Sequence, residues 1–192
     1  MENNQANIDF EELRTKVLAC TACRLRVGCK QVVFGKGNPQ AHILFIGEGP
    51  GAQEDELGLP FVGASGKLLD KIIEEAGIPQ RDVFIANVVK CRPPENRTPL
   101  LDEVRTCKPF VMKQIVLIKP CVIITLGAAA TQALIDPKAK ITKVRGIWYE
   151  IDGVKYMPTF HPAALLRDPA KKQPVREDLQ KVRDYYRDKC SI

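Results

Sequence analysis

The sequence lacks several features that would place it in a familiar class. Its 192 residues include only two histidines and one tryptophan, and its apolar runs are far too short to span a bilayer. The N-terminal stretch MENNQANIDFEELR is polar and acidic, which is unlike a secretory signal peptide. We therefore expect a monomeric cytoplasmic protein without a membrane partner, folded as a single domain over residues 1–192.

Two common phosphate-binding motifs are also missing. The glycine-rich stretch Gly47–Asp70 leads into a helical pattern but contains neither G-x-G-x-x-G nor G-x-x-x-x-G-K-[ST], and its Glu48 and Glu54 would repel a phosphate. An apolar run, His42–Ile46, precedes it. The two carboxylates are therefore expected at the C-terminal end of a buried strand, where open α/β sheets bind ligands. The alternative is a plain strand-to-helix turn with solvated carboxylates.

Positive charge is in moderate excess. The net charge of +6 and the pI near 8.9 favour an anionic partner such as nucleic acid, although charge alone is also typical of an ordinary basic surface.

The seven cysteines are numerous for a cytoplasmic chain, in which stable disulfides are not expected. Cys20 and Cys23 form a C-x-x-C pair, whereas Cys91 and Cys107 lie at the two ends of one loop-helix segment. Four-cysteine zinc sites normally use two close pairs, so a single close pair favours an iron-sulfur cluster. The alternative, unrelated buried cysteines, fits the remaining three, which are Cys29, Cys121 and Cys190.

Strand and helix patterns alternate along the chain, which predicts a mostly parallel sheet of the α/β class. Short apolar runs predict strands at His42–Ile46, Val83–Val89 and Cys121–Leu126. Asp152-Gly153 predicts a hairpin turn. Helical spacing predicts helices over Ile8–Ala19, over Ser65–Ala76, from near Leu100, after Gly127 and over Val175–Asp188. A basic, proline-rich loop is expected over Lys90–Pro99, and an extended connector between Cys23 and the first strand.

Three further features could contact a ligand. Asn87 interrupts the apolar run VFIANVV, so its amide either joins a buried hydrogen-bond network or contacts a flat polar ligand. His161 lies in a turn before a proline, which suits a functional role, whereas His42 at a strand entrance is expected to be structural. Leu166 and Arg167 pair an apolar tip with a cation, which suits either a wedge into a base stack or an ordinary helix start.

The order of these motifs resembles the family 4 uracil-DNA glycosylases, the iron-sulfur type of a wider superfamily. The similarity lies in GEGPGAQEDELGLPFVG, in FIANVVKCRPPENRTP, in the cysteine that follows it and in PTFHPAALLR, and it covers nearly the whole chain from Cys20. The resemblance implies a three-layer α/β/α fold with a mostly parallel central sheet and excision of uracil from DNA. It also implies a [4Fe-4S] cluster on Cys20, Cys23, Cys91 and Cys107.

The resemblance also assigns roles by matching positions. It implies that Phe61 stacks on the flipped uracil, that Asn87 recognises its Watson-Crick edge and that His161 contacts its O2 atom. Gly47 and Gly49 would let the backbone approach the substrate closely, while Leu166 and Arg167 would contact the DNA.

The motif contains two carboxylates that could act in catalysis, those of Glu48 and Glu54. Family 1 enzymes carry an aspartate where this chain has Gly49, so Glu48 is the first candidate for activating water. Glu54 is the second candidate, or it crowds the C5 position and excludes thymine.

Two rival functions remain open, a non-catalytic uracil-DNA-binding relative and a relative that becomes trapped covalently on its substrate. The trapped class carries a histidine in a basic loop in the middle of the chain, and residues 138–146 (KAKITKVRG) contain none, which favours turnover. Uracil-containing DNA is the expected partner, with a sliding clamp as an open second one.

Overall fold

A six-stranded sheet lies at the centre of the protein. The computed structural model describes residues 2–190, and side chains from residue 7 onward. Its strands are β1 (Lys36–Gly37), β2 (Ile43–Gly47), β3 (Val83–Asn87), β4 (Val122–Leu126), β5 (Tyr149–Ile151) and β6 (Val154–Thr159). They lie in the order β1-β3-β2-β4-β6-β5, with the inner four strands parallel and both edge strands antiparallel to their neighbours.

Helices cover both faces of this sheet. Within residues 2–190 they are α1 (Glu2–Leu18), α2 (Ala52–Leu57), α3 (Ala64–Glu75), α4 (Leu101–Ile118), α5 (Gly127–Leu134), α6 (Ile141–Val144), α7 (Pro162–Arg167) and α8 (Lys172–Lys189). No helix in this part of the chain is both long enough and apolar enough to cross a bilayer.

Two apolar clusters, one on each face, hold the layers together. The first packs α1 and α4 against β2 and β3 through side chains such as Val17, Val111 and Leu44. The second packs α3 and α8 against the opposite face through side chains such as Ile73 and Leu179. Every residue of β2, β3 and β4 is buried, as expected for parallel strands that are covered on both sides. The predicted three-layer α/β/α fold with a mostly parallel sheet is therefore confirmed.

The strand order creates a crevice. The chain passes from β2 to β3 on one side of β2 and later returns to β4 on the other side. Connections that diverge in this way leave an opening at the carboxyl ends of the neighbouring strands, which is where open α/β sheets bind ligands.

Some local predictions need correction. The connector before the first long strand contains β1, a two-residue strand that pairs with β3 at Phe84 and Ile85. The first helix buries Phe10, Leu13 and Val17, whereas its apolar residues Ile8 and Leu18 are about half exposed.

The expectation that the chain forms no stable disulfide was wrong. Cys121 and Cys190 are joined by a disulfide, with a sequence separation of 69 and a Cα–Cα distance of 6.1 Å. The second apolar cluster contains both Val122 at the start of β4 and Tyr186 near the end of α8, and this packing brings the two cysteines together. A pairing that depends on tertiary packing is invisible in the spacing of the cysteines.

Candidate active site

An open cleft lies at the carboxyl ends of the four parallel strands. Its volume is about 800 Å³, within the range typical of small-molecule sites. Each inner strand, or the residues just after it, contributes to the lining, through Glu48, Asn87, Gly127 and His161. Seven of the residues predicted to act on a substrate therefore line one cavity: Glu48, Gly49, Glu54, Phe61, Asn87, His161 and Arg167.

Asn87 is the most unusual group in this cleft. It is the last residue of β3, it is 2% exposed, and it pairs with Gly47 in the parallel register between β2 and β3. Its Oδ1 atom is buried and, among the described residues, has no hydrogen-bond partner. Buried amide oxygens are nearly always paired, so this atom is available to a ligand's donor.

Gly47 allows Asn87 and Phe61 to meet at the end of β2. A Cβ atom at residue 47 would lie 2.5 Å from Asn87 Oδ1 and 2.6 Å from the Phe61 ring. Any larger residue would displace one of the two side chains. Gly47 itself is not part of the cleft lining, so its role is to leave room for residues that are.

Phe61 presents its ring to the cleft from a constrained backbone. Its φ of 51° lies in the left-handed region, which is uncommon for an aromatic residue, and its ring centroid lies 5.6 Å from that of His161. Lys36 Nζ donates a hydrogen bond to the Phe61 carbonyl over 3.1 Å. Strain of this kind persists where surrounding contacts impose it, often at functional sites.

His161 is held in one orientation as a neutral imidazole. It caps the N-terminus of α7, where its Nδ1 accepts a hydrogen bond from the Ala163 N–H over 3.1 Å. Burial lowers the pKa of His161 to about 4, and the nearby Arg167 adds to that effect. With Nδ1 used as an acceptor, the ring proton lies on Nε2 and can be donated.

The fit of His161 depends on a glycine. Gly127 begins α5 with a φ of +87°, and a Cβ atom there would lie 2.9 Å from the Cβ atom of His161. The end of β4 therefore accommodates the histidine that follows β6.

Glu54 has both carboxylate oxygens occupied by the protein. Oε1 accepts hydrogen bonds from the Val62 and Gly63 N–H groups, each at 2.9 Å, and Oε2 accepts one from the Gly51 N–H at 3.1 Å. The side chain is 9% exposed. This carboxylate therefore fixes the loop between β2 and α3, which carries Phe61.

Glu48 differs because its surroundings leave the carboxylate more available. Burial raises the pKa of Glu48, and a hydrogen bond with the Thr98 side chain opposes that rise. Its backbone carbonyl accepts the Val89 N–H over 3.1 Å, which fixes the main chain beside the cleft. Thr98 was not predicted as a site residue, since no local pattern indicates that it faces Glu48.

The short helix α7 lies at the rim of the cleft. Leu165 is fully buried, whereas Leu166 is 50% exposed and Arg167 is exposed. Arg167 lines the cleft and Leu166 does not. Both residues are thus accessible to a partner that approaches the opening.

The loop after β3 is fixed to α4 by an ion pair. Glu103, fully buried in the first turn of α4, accepts bonds from the two terminal nitrogens of Arg97 at 2.7 and 2.8 Å. The same carboxylate accepts the Leu100 N–H at 2.8 Å. Arg97 lines the cleft, so this pair links the cleft wall to α4.

Four cysteines surround a second, small cavity beneath that loop. Cys20 and Cys23 follow α1, Cys91 lies in the loop after β3, and Cys107 lies in α4. The rest of the lining is largely apolar and includes Val17. The four cysteines of the predicted cluster site therefore line one cavity.

Four thiols are a donor set of the kind that can hold an iron-sulfur cluster. Among the residues described, no three His, Cys, Asp or Glu side chains are placed to hold one metal ion. Each thiolate of a four-iron cluster binds a different iron, so the ligands surround a volume instead of meeting at a point. Backbone N–H groups of Ala22 and Lys90 already point at Cys20 Sγ and Cys107 Sγ, at 3.5 and 3.3 Å.

Lys90 begins the predicted basic loop, but its side chain does not face solvent. The residue is 2% exposed, because the chain stays inside the protein for three residues after β3 ends. The signal was available in the sequence, since Val88 and Val89 extend the apolar run directly up to Lys90.

Comparisons with known proteins agree with the motif order. A family model described as the uracil DNA glycosylase superfamily matches residues 34–183. A protein of Thermotoga maritima named type-4 uracil-DNA glycosylase is 46% identical over 180 residues, covering 92% of this chain and 94% of its own length. Proteins of the same name from Sulfurisphaera tokodaii and Saccharolobus solfataricus are 43% and 44% identical, covering 91% and 93% of this chain and 84% and 86% of their own. The chain therefore belongs to the type-4 family within the uracil-DNA glycosylase superfamily.

Proposed function

We propose that the protein removes uracil from DNA by flipping the nucleotide into the cleft and hydrolysing its N-glycosidic bond. The observation that carries this proposal is the buried Asn87 Oδ1 atom, which lacks a partner among the described residues. Uracil offers an N3–H donor next to its O4 acceptor, so one amide side chain can bind both. An unpaired buried acceptor costs about 1–3 kcal/mol, and uracil would remove that cost.

The same pairing distinguishes uracil from cytosine. Cytosine presents an acceptor at N3 and a donor at its exocyclic amine, which is the reverse of the uracil pattern. Phe61, 5% exposed beside Asn87, would stack on the flipped base.

Catalysis would depend on where charge develops. Cleavage of the glycosidic bond creates positive charge on the sugar and negative charge on the departing uracil. Glu48 would stabilise the sugar and orient the attacking water, because its carboxylate is available while Glu54 is committed to three backbone N–H groups.

His161 would stabilise the departing base. A neutral imidazole with its proton on Nε2 donates a hydrogen bond to uracil O2 without placing a full positive charge beside it. The distance of 5.6 Å between the ring centroids of His161 and Phe61 supports this role, because the donor would lie next to a base stacked on Phe61.

The second cavity would hold a [4Fe-4S] cluster on Cys20, Cys23, Cys91 and Cys107. The cluster would supply structural cross-linking and no chemistry in the excision reaction. It would join the end of α1 to α4 and to the loop that forms one wall of the cleft.

An excision assay with a single-uracil oligonucleotide tests this function. We expect alkali-induced strand breaks at the uracil with single strands, U·G duplexes and U·A duplexes. Asn87→Ala should excise about 10- to 100-fold more slowly, whereas the control Asn7→Ala, on α1, should match the unmodified protein. A retarded but unbroken strand would instead identify a uracil-DNA-binding protein without catalysis.

A further inference from the structure

Lys90 lies in the protein interior, where its side-chain nitrogen is well hydrogen-bonded. Its Nζ atom hydrogen-bonds to the Asn87 carbonyl at 2.9 Å, to the Phe34 carbonyl at 3.2 Å and to Gln114 Oε1 at 2.6 Å. One buried nitrogen therefore connects three acceptors. Nothing in the proposed reaction employs this residue.

Lys90 lies where the pairing between β1 and β3 stops. β1 pairs with β3 only at Phe84 and Ile85, so the β3 residues beyond that point have no β1 partner. Lys90 spans this gap, because it binds Asn87 on β3 and Phe34, which precedes β1. The Gln114 Nε2 atom also donates to the Phe34 carbonyl, at 3.0 Å, and fixes the same junction to α4.

The main chain of Lys90 connects this junction to the cysteine cavity. Its N–H donates to Cys107 Sγ at 3.3 Å, and its carbonyl accepts the Val33 N–H at 2.8 Å. The next residue is Cys91, which lines the same cavity.

We propose that Lys90 is a positioning residue. It holds the end of β3, and therefore the Asn87 amide, in the position from which the amide can hydrogen-bond to the flipped base. The inference rests on the proposed role of Asn87 in base recognition. An apolar side chain at residue 90 would remove this donor from the Asn87 carbonyl and from Gln114 Oε1, while the Phe34 carbonyl would keep the Gln114 Nε2 donor. The end of β3 would shift to recover the lost hydrogen bonds. Lys90 is thus the direct link between the cysteine site and the base pocket.

The test is a double-mutant cycle between Lys90→Met and Asn87→Ala, measured as single-turnover excision rate and DNA dissociation constant. Lys90→Met should slow excision about 10- to 100-fold, because small misplacement of a recognition group is costly, and should leave DNA affinity within about twofold. Added to Asn87→Ala, it should cause little further loss, since both changes remove the same contact. Lys155→Met, a lysine paired with Glu150 on the far edge of the sheet, is the matched control and should behave like the unmodified protein.

A structural role alone predicts a different pattern. Full additivity of the two changes, or excision by folded Lys90→Met at the unmodified rate, would overturn the inference. If Lys90→Met does not fold, Gln114→Met takes its place in the same double-mutant cycle with Asn87→Ala and tests the same inference. It removes one of the three acceptors and should slow excision about 3- to 10-fold, again without adding to Asn87→Ala. If the unmodified protein leaves uracil in DNA, the proposed function fails first, and this inference fails with it.

Discussion

Glu48 and Glu54 lie six residues apart but have different surroundings. Glu54 accepts three backbone hydrogen bonds and is largely buried, so its charge is used to fix a loop. The Glu48 carboxylate hydrogen-bonds to the Thr98 side chain, and burial raises the pKa of Glu48. Identical carboxylates thus acquire different roles from their neighbours alone.

Exchanging each glutamate for glutamine separates these roles. Glu48→Gln should lower the single-turnover excision rate by about 10²–10³, with little change in melting temperature. Glu54→Gln should chiefly lower the melting temperature, because the amide keeps one acceptor oxygen where three N–H groups need partners. Glu56→Gln, on the exposed end of α2, is the control. If Glu48→Gln excises normally while folded Glu54→Gln is inactive, water activation belongs to Glu54.

The pH dependence of excision should show one acidic limb. Glu48 must be ionised, and its raised pKa places the loss of rate above the ordinary glutamate value of 4.5. His161 should contribute no break between about pH 6 and 9, because its lowered pKa of about 4 keeps the ring neutral there. The check is a pH-rate profile of the unmodified protein and of His161→Gln. A break near 6.5 that disappears in His161→Gln would contradict this assignment.

The same histidine affects stability with a definite sign. The unfolded chain protonates His161 near the ordinary value of 6.5, whereas the folded chain does so only near 4. The contribution of His161 to stability is therefore fully present above pH 6.5 and is lost as the pH falls toward 4.

Most of the residues predicted to act on a substrate line the cleft, but the sequence did not indicate their local contacts. Glu54 receives hydrogen bonds from Val62 and Gly63, and Glu48 faces Thr98, fifty residues along the chain. Such partners depend on how loops meet across the sheet. Periodicity and motif spacing describe one element at a time, so they do not predict contacts between residues in different loops.

At the scale of elements, α7 is the part of the site that reaches outward. Leu166→Ala and Arg167→Ala should weaken binding to duplex DNA more than binding to single strands, because a single strand requires little unstacking. The measurement is the dissociation constant for both substrates, with Val116→Ala, another exposed apolar residue, as the control. Equal losses on both substrates would show that α7 contacts the backbone without acting as a wedge.

Elements with a strong pattern were predictable, and elements defined by tertiary contacts were not. The apolar runs of β2, β3 and β4 are buried on both faces and were found to within two residues at either end. β1 has two residues and exists only because it pairs with β3, and α2 is a six-residue helix in a glycine-rich loop. Neither is long enough to show a period.

The cysteines divide into two groups with different expected effects. Cys91→Ser should abolish iron binding in protein purified anaerobically, which should otherwise be brown. Cys121→Ser should keep the iron but lower the free energy of unfolding by about 2–4 kcal/mol, because the disulfide with Cys190 is lost. Iron analysis and urea unfolding measure the two effects. A colourless unmodified protein with one zinc per chain would contradict the cluster.

At the scale of the whole molecule, the sheet brings distant stretches of chain to one edge. Glu48 and His161 follow two of the parallel strands, Asn87 ends a third, and the cysteine cavity lies beneath the loop that leaves β3. This arrangement places a buried amide, a carboxylate and a neutral imidazole around one opening. It predicts an enzyme that completes the reaction and releases its product.

Counting uracil released against protein added tests that claim most directly. A single-uracil oligonucleotide is supplied in large excess, free uracil is quantified, and the mass of the protein is measured afterwards. We expect uracil well in excess of protein and a protein of unchanged mass. At most one uracil per protein, together with a protein mass increased by the bound oligonucleotide, would show a covalently trapped relative and contradict turnover.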